Sequence, residues 1–151
     1  MSNAKQAAVS IRTMTRSDIH AVITLDRKFA GTRGHLSYKD MATLDPGGPL
    51  DVSFVAEVGG NIIGFVIARL AYVMIPLSEI CLVQGVLVDP DYQDRGIGGR
   101  LIRELLGYCQ AEGISTVRTL VEEHNDRQRH FLEQLGFRRS AIINYDKTYE
   151  S

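Results

Sequence analysis

Apolar positions change their period several times along the chain, and each change marks an element. Val9 to Met14 reads as a short strand. Thr15 and Asp18 follow in capping-box positions, and Ile19, Val22, Ile23 and Phe29 then recur at helical spacing, which predicts an amphipathic helix. Ser37 is placed to cap a second short helix reaching Leu44, which Asp45-Pro46-Gly47-Gly48-Pro49 must end. Two β-rich runs, Ser53 to Val58 and Ile62 to Tyr72, flank Gly59-Gly60-Asn61 and read as a hairpin. A further run, Ile80 to Val88, is apolar on both faces around Gln84 and is the expected middle of the sheet. Leu101, Ile102, Leu105, Leu106 and Cys109 mark the buried face of a helix ending near Glu112-Gly113. Val117 to Val121 gives another strand, Asp126 to Leu135 a helix closed by Gly136, and Phe137 to Tyr149 a last strand or strand pair. The order is β-α-α-β-β-β-α-β-α-β, an α/β chain with one mixed sheet.

Composition narrows the classes. A chain of 151 residues suits one domain, taken as residues 9–151 behind a tail of residues 1–8. Seventeen Lys and Arg against eighteen Asp and Glu leave a net charge of -1, which argues against a surface built for nucleic acid or for an anionic membrane. The longest uncharged apolar stretch, Leu70 to Leu77, is too short to span a bilayer, and the first ten residues carry no apolar leader. Cys81 and Cys109 lie far apart with no Cys-x-x-Cys spacing, so both read as buried reduced thiols, and the cytoplasm is the expected compartment.

The informative segment joins the Ile80–Val88 strand to the long helix: Val88-Asp89-Pro90-Asp91-Tyr92-Gln93-Asp94-Arg95-Gly96-Ile97-Gly98-Gly99-Arg100. Glycines at a helix start let the backbone approach a ligand, and the free N–H groups and dipole there favour a phosphate. A tight strand-to-helix turn would use the same glycines for packing alone. A dinucleotide fingerprint would need glycine where Leu101 stands, and no Gly-Lys-Ser/Thr occurs for a P-loop.

On these residues the chain resembles the GNAT superfamily of N-acetyltransferases. Its acetyl-CoA signature, Gln/Arg-x-x-Gly-x-Gly/Ala, is matched by Gln93, Gly96 and Gly98, and a second element by Asn125, Phe131 and Gly136-Phe137. The resemblance implies a single-domain GNAT fold and transfer of an acetyl group from acetyl-CoA to a primary amine of a small molecule or peptide, by direct attack in a ternary complex. It implies that the diphosphate lies on the backbone N–H groups of Asp94, Arg95, Gly96, Ile97, Gly98 and Gly99, with side-chain charge from Arg95 or Arg100. Gln93 would hold the loop or reach a phosphate. The pantetheine arm would run along Val86, Leu87 and Val88 like an added strand, a backbone N–H near Leu87 or Val88 would polarise the thioester carbonyl, and Asn125 would steady the pantetheine.

The chemistry needs two proton handlers. The family's tyrosine in the second element is replaced by Leu132, and its alanine by Gln128, so the acid is sought elsewhere: Tyr145 first, then Tyr108 and His130. Gln84 stands where many relatives place a glutamate and cannot take a proton at neutral pH, so Glu79 is the expected base, with Glu122, Glu123 and His124 in reserve. No metal is expected, because Glu122-Glu123-His124 lacks helical or hairpin ligand spacing. The acceptor wall is expected from the first helix, the 30–50 segment and the last strands, with Arg33-Gly34-His35 read first as a plain surface loop and second as a lip; its mixed charge names no acceptor. Leu132 and Gln84 also motivate a second reading, an acyl-CoA-binding module with little turnover. A homodimer is expected, and the apolar Leu70 to Leu77 stretch reads equally as its patch or as a buried strand end.

Overall fold

The computed structural model describes residues 8–29, 35–48 and 52–150. The chain divides into two compact units, Met1–Leu120 and Val121–Ser151. Of the expected tail only Ala8 is described, and Arg33 and Gly34 of the expected surface loop lie outside the described residues.

The first unit is an α/β layer structure. Strand β1 (Ser10–Thr13) leads through a 3-10 turn into helix α1 (Ile19–Phe29), then α2 (Tyr38–Leu44), β2 (Phe54–Val58), β3 (Asn61–Val73), β4 (Ser78–Val88), α3 (Ile97–Ala111) and β5 (Val117–Thr119). The five strands lie in the order β1-β2-β3-β4-β5, antiparallel except for the parallel β4–β5 pair. The middle strand is therefore β3, not β4 as the sequence suggested. An uninterrupted apolar run identifies a strand covered on both faces, but does not say how many strands lie on either side of it.

Local chemistry explains the element ends. The Asp18 carboxylate accepts the Thr15 N–H at 2.8 Å, and Ser37 and Asp40 exchange reciprocal bonds at the start of α2, 3.2 Å to the Ser37 hydroxyl and 2.9 Å to the Asp40 carboxylate. Gly59 and Gly60 have φ of +54° and +84°, the two left-handed positions that a two-residue hairpin turn with the sheet's own twist requires.

Alternation along the strands sends side chains to two faces. On one, Val55, Phe65 and Ile67 pack with Met14, Val22, Ile23, Leu25 and Met41 beneath α1 and α2. On the other, α3 lies across β2, β3 and β4 with Leu101, Ile102, Leu105 and Cys109 fully buried, and the rings of Phe54 and Tyr108 meet edge to face at 6.1 Å. Truncating one of these leucines would cost about 2–5 kcal/mol, so packing holds α3 in place despite three glycines in its length.

The second unit holds α4 (Asp126–Gln134), closed by bonds from the N–H groups of Gly136 and Phe137 to the carbonyls of Glu133 and Leu132. The last strand of the expected order is absent: residues 138–150 carry no helix or strand and are exposed throughout. Their β-branched and aromatic residues fit a strand, but propensity yields a strand only when a neighbour takes up the ladder bonds, and no described residue pairs with them. Among the described residues no helix is long and apolar enough to cross a membrane.

Candidate active site

The β4–β5 ladder covers only Cys81↔Val117, Leu82↔Arg118 and Val83↔Thr119, and the Thr119 hydroxyl closes its end by donating to the Val83 carbonyl at 3.1 Å. Strand β4 continues for five residues more, paired only with β3. At the divergence the register slips: Ala68 faces Val83 and Ile67 faces Gly85, so Gln84 is an extra residue, a β-bulge. Beyond it Leu87 pairs with Phe65, and the Asp89 N–H donates to the Ile63 carbonyl at 2.8 Å. By alternation Gly85 and Leu87 turn their peptide groups toward β3, while Val86 and Val88 turn theirs to the side β5 has left. Of the two amides singled out beforehand, that of Leu87 is thus committed to the ladder and that of Val88 is directed outward.

The loop that follows is held from within. The Asp89 carboxylate accepts the Asp91 N–H at 2.9 Å, and the Gln93 side-chain amide donates to the Val88 carbonyl at 3.0 Å. Asp94 and Gly96 both adopt left-handed conformations, φ +63° and +74°. Gly96 is the N-cap of α3 and offers no side chain to satisfy the helix start. The first intrahelical bond runs from the Arg100 N–H to the Gly96 carbonyl at 3.0 Å, so the N–H groups of Ile97, Gly98 and Gly99 have no partner within the helix. With the helix dipole behind them they make a cradle of donors of the kind that can hold an anion. Arg95 lies in this loop with its guanidinium over the Tyr92 ring, 5.5 Å from the centroid. Arg100 is turned elsewhere and donates to the Val9 carbonyl at 3.0 Å.

Sequence reasoning missed Gly64. It pairs with Val88, and a Cβ there would lie 3.1 Å from the Leu87 carbonyl oxygen, 3.4 Å from Val88 Cγ2 and 3.5 Å from Leu101 Cδ1. Glycine at this point lets α3 start close against β3 and β4. A lone glycine inside a β-rich run was the available signal.

Within the first unit, Glu79 lies away from the loop. Glu79 pairs with Tyr72 across the other end of the β3–β4 hairpin. Its carboxylate accepts the Tyr72 hydroxyl, which raises the phenol above its ordinary range. Gln84 lies five positions on from Glu79, roughly 17 Å of extended chain. Tyr145 and Asn125 belong to the second unit. Asn125 caps α4, its carbonyl accepting the Gln128 N–H and its amide donating to the Gln128 side chain, both at 3.1 Å; Tyr145 is 90% exposed. Among the described residues no group of three or more His, Cys, Asp or Glu is arranged to hold a metal ion.

Comparison with known proteins gives the same outline. Residues 19–137 match the model of the Acetyltransferase (GNAT) family. An uncharacterized N-acetyltransferase of Methanocaldococcus jannaschii is 32% identical over 94 residues, 62% of this chain and 42% of its own. The [Ribosomal protein bS18]-alanine N-acetyltransferase of Escherichia coli is 32% identical over 75 residues, 50% of each chain. The chain thus spans about half the length of these curated relatives. Among solved structures, an aminoglycoside N-acetyltransferase in complex with CoA superposes with a TM-score of 0.75 at 22% identity, covering 93% of this chain and 95% of the other.

Proposed function

We propose, on the premise that the chain belongs to the acetyltransferase (GNAT) family, that it is an N-acetyltransferase moving an acetyl group from acetyl-CoA to a primary amine of a small molecule or a peptide. The observation that carries the reading is the continuity of two features: the β4 edge left open from Gln84 to Val88 runs directly into the N–H cradle at the start of α3.

The residues fit the cofactor by their chemistry. The N–H groups of Ile97, Gly98 and Gly99 would receive the diphosphate, with Arg95 adding charge from the same loop. The outward peptide groups of Val86 and Val88 would pair with the amide-bearing arm as an added strand, and an N–H of this pair would polarise the thioester carbonyl. Acetyl-CoA, when bound, supplies the acetyl group as an activated thioester. Gln93 holds the cradle through the Val88 carbonyl.

Glu79, roughly 17 Å along β4 from the bulge, is proposed as the base that takes the amine proton through intervening waters, and Tyr145 as the acid that gives a proton to the departing sulfur. Two kinds of acceptor are named among relatives, an alanine of a ribosomal protein and aminoglycosides, so both peptides and amino sugars belong in the acceptor panel. The two free thiols fit a reducing, cytoplasmic setting. We also hold the working form to be a homodimer, on the exposed apolar tip of the β3–β4 hairpin. The second reading, an acyl-CoA-binding module of little turnover, is favoured by Gln84, a neutral amide at the bulge.

Two measurements decide. Saturating CoA should raise the melting temperature, because a ligand that binds only the folded state stabilises it by mass action; no shift would remove the cofactor. Free thiol released from acetyl-CoA should depend on an added peptide or amino-sugar amine. Tight CoA binding with no amine-dependent release would leave the binding-module reading.

A further inference from the structure

The β3–β4 hairpin extends beyond the sheet that carries it. The last β2 partner of β3 is Phe54, opposite Val66, and two residues on, the Ser53 hydroxyl serves both the N–H and the C=O of Ala68, at 3.1 and 3.2 Å. After that no described residue pairs with β3 on this side, although β3 and β4 remain paired from Arg69↔Leu82 to Val73↔Ser78. On the other flank the β5 ladder starts only at Cys81. Among the described residues, 69–80 therefore form a two-stranded ribbon, a form that is marginal alone in water.

Because Ala68 directs its peptide groups away from β4, so do Leu70 and Tyr72. Exposed strand edges are normally blunted by charge or proline, yet from Leu70 through Ser78 the chain has no charged residue, and its proline, Pro76, lies in the turn. Tyr72, Met74, Ile75 and Leu77 are exposed by 67, 64, 95 and 72%.

We propose that this ribbon is the contact surface of a symmetric dimer, β3 of one copy pairing antiparallel with β3 of a second about a two-fold axis at Ala71. The inference deepens the homodimer reading given above, on which it rests, and is independent of the acetyl transfer. An antiparallel edge is complementary to itself: with the axis at Ala71, Leu70 of each copy exchanges N–H···O bonds with Tyr72 of the other. An uncharged segment suits this, since a two-fold brings the same few groups of both copies together around its axis, where like charges would repel. Four such side chains cover roughly 500 Å² per copy, so the pair hides about 1,000 Å², the lower bound of a specific interface before the strand backbone is added.

Sedimentation across about a hundredfold range of concentration should show the wild type passing from monomer to dimer. The double variant Ile75→Lys/Leu77→Lys should stay monomeric while still melting cooperatively. Ala71→Cys supplies a positive test. The chain's two cysteines are both buried, and the two Ala71 positions would form a non-hydrogen-bonded pair with side chains close enough for a disulfide. Oxidised glutathione, taking up the two electrons and two protons, should then convert Ala71→Cys to a covalent dimer. A wild type monomeric at every concentration overturns both the homodimer and its surface. A wild-type dimer with the lysine variant still dimeric, or with Ala71→Cys left uncrosslinked, overturns the surface alone.

Discussion

Gln93 reaches back over its own loop to donate a side-chain N–H to the main-chain oxygen of Val88 at 3.0 Å, tying the end of the open β4 edge to the approach of the α3 cradle. The bond is exposed, so its worth is the order it imposes on the loop and its contribution to global stability is small. Gln93→Leu should lower CoA affinity about five- to tenfold, the equivalent of one ordinary hydrogen bond, and move the melting temperature little. Isothermal titration with CoA checks the first, calorimetry the second. Unchanged affinity would mean the loop is ordered without Gln93.

Asp94 and Arg95 place opposite charges side by side in the cradle loop. Asp94 holds a left-handed φ of +63°, which an aspartate tolerates and a glycine prefers, and its charge opposes a diphosphate. At exposed sites one unit charge near another is worth about 1 kcal/mol. Asp94→Gly should therefore tighten CoA binding about fivefold and Arg95→Ala weaken it by a similar factor, both effects shrinking as salt rises. Titrations at low and high ionic strength separate this from a change in loop shape, which salt would not erase.

The elements legible in the sequence are those fixed by neighbours in the chain. Thr15 with Asp18, Ser37 with Asp40 and Gly59 with Gly60 each form the local structure their spacing announces, and the α3 loop shows its glycines in one stretch of sequence. What was not legible depends on partners remote in sequence. The place of β4 in the sheet depends on how many strands lie beyond it. Residues 138–150 have a strand's composition and no described strand pairs with them. The open edge at Val86 and Val88 arises because β5 ends at Thr119, and the role of Gly64 comes from Leu101, 37 residues on in the sequence. Glu79 was singled out by residue type at a strand start, and only the register puts it against Tyr72 at the far end of the hairpin.

The Arg12 guanidinium ties β1 to the start of α1 and to β2. It holds the Asp18 carboxylate through two bonds of 2.7 and 2.8 Å and that of Glu57 at 2.9 Å. Its hydrogen bonds, aided by the Thr15 N–H, depress the Asp18 pKa against the opposing effect of burial. A carboxylate with a depressed folded pKa contributes stability that is full above its unfolded value, about 3.9, and is lost as pH falls through the folded one. Arg12 is 39% exposed, so the full value of a buried pair does not apply, and Asp18→Asn should cost about 1–2 kcal/mol near pH 7. Urea melts at a series of pH values should show that difference constant above about pH 5 and shrinking below about pH 4. A difference that persists in acid would mean the lost packing, not the charge, carries the effect.

Distance along β4 makes Glu79 a remote base. An amine that attacks at the Gln84 bulge, compact or part of a peptide, lies roughly 17 Å from Glu79, so its proton reaches the carboxylate only through intervening waters. Glu79→Gln should lower kcat/KM tenfold or more for a peptide and a small amino sugar alike. Unchanged turnover of both would mean that the amine proton goes to solvent and that Glu79 serves only its contact with Tyr72.

Two glycine replacements of opposite sign test how closely α3 must approach the sheet. At Gly64 an added Cβ meets the Leu87 carbonyl oxygen at 3.1 Å, a backbone atom that can yield only if β4 shifts. Gly64→Ala should therefore destabilise by about 1–3 kcal/mol, as overpacking does, and weaken CoA binding, because the strand displaced is the one whose outer edge is proposed to hold the cofactor. At Gly107, exposed within α3, an added Cβ meets nothing within 4 Å, and Gly107→Ala should stabilise by about 0.5–1 kcal/mol through helix propensity alone, with CoA affinity unchanged. Denaturant melts give the stabilities and titration the affinities. If Gly64→Ala lost stability while binding CoA as well as the wild type, the contact between Gly64 and the Leu87–Val88 segment would matter for packing but not for the cradle, and the coupling argued between β4 and the start of α3 would fail.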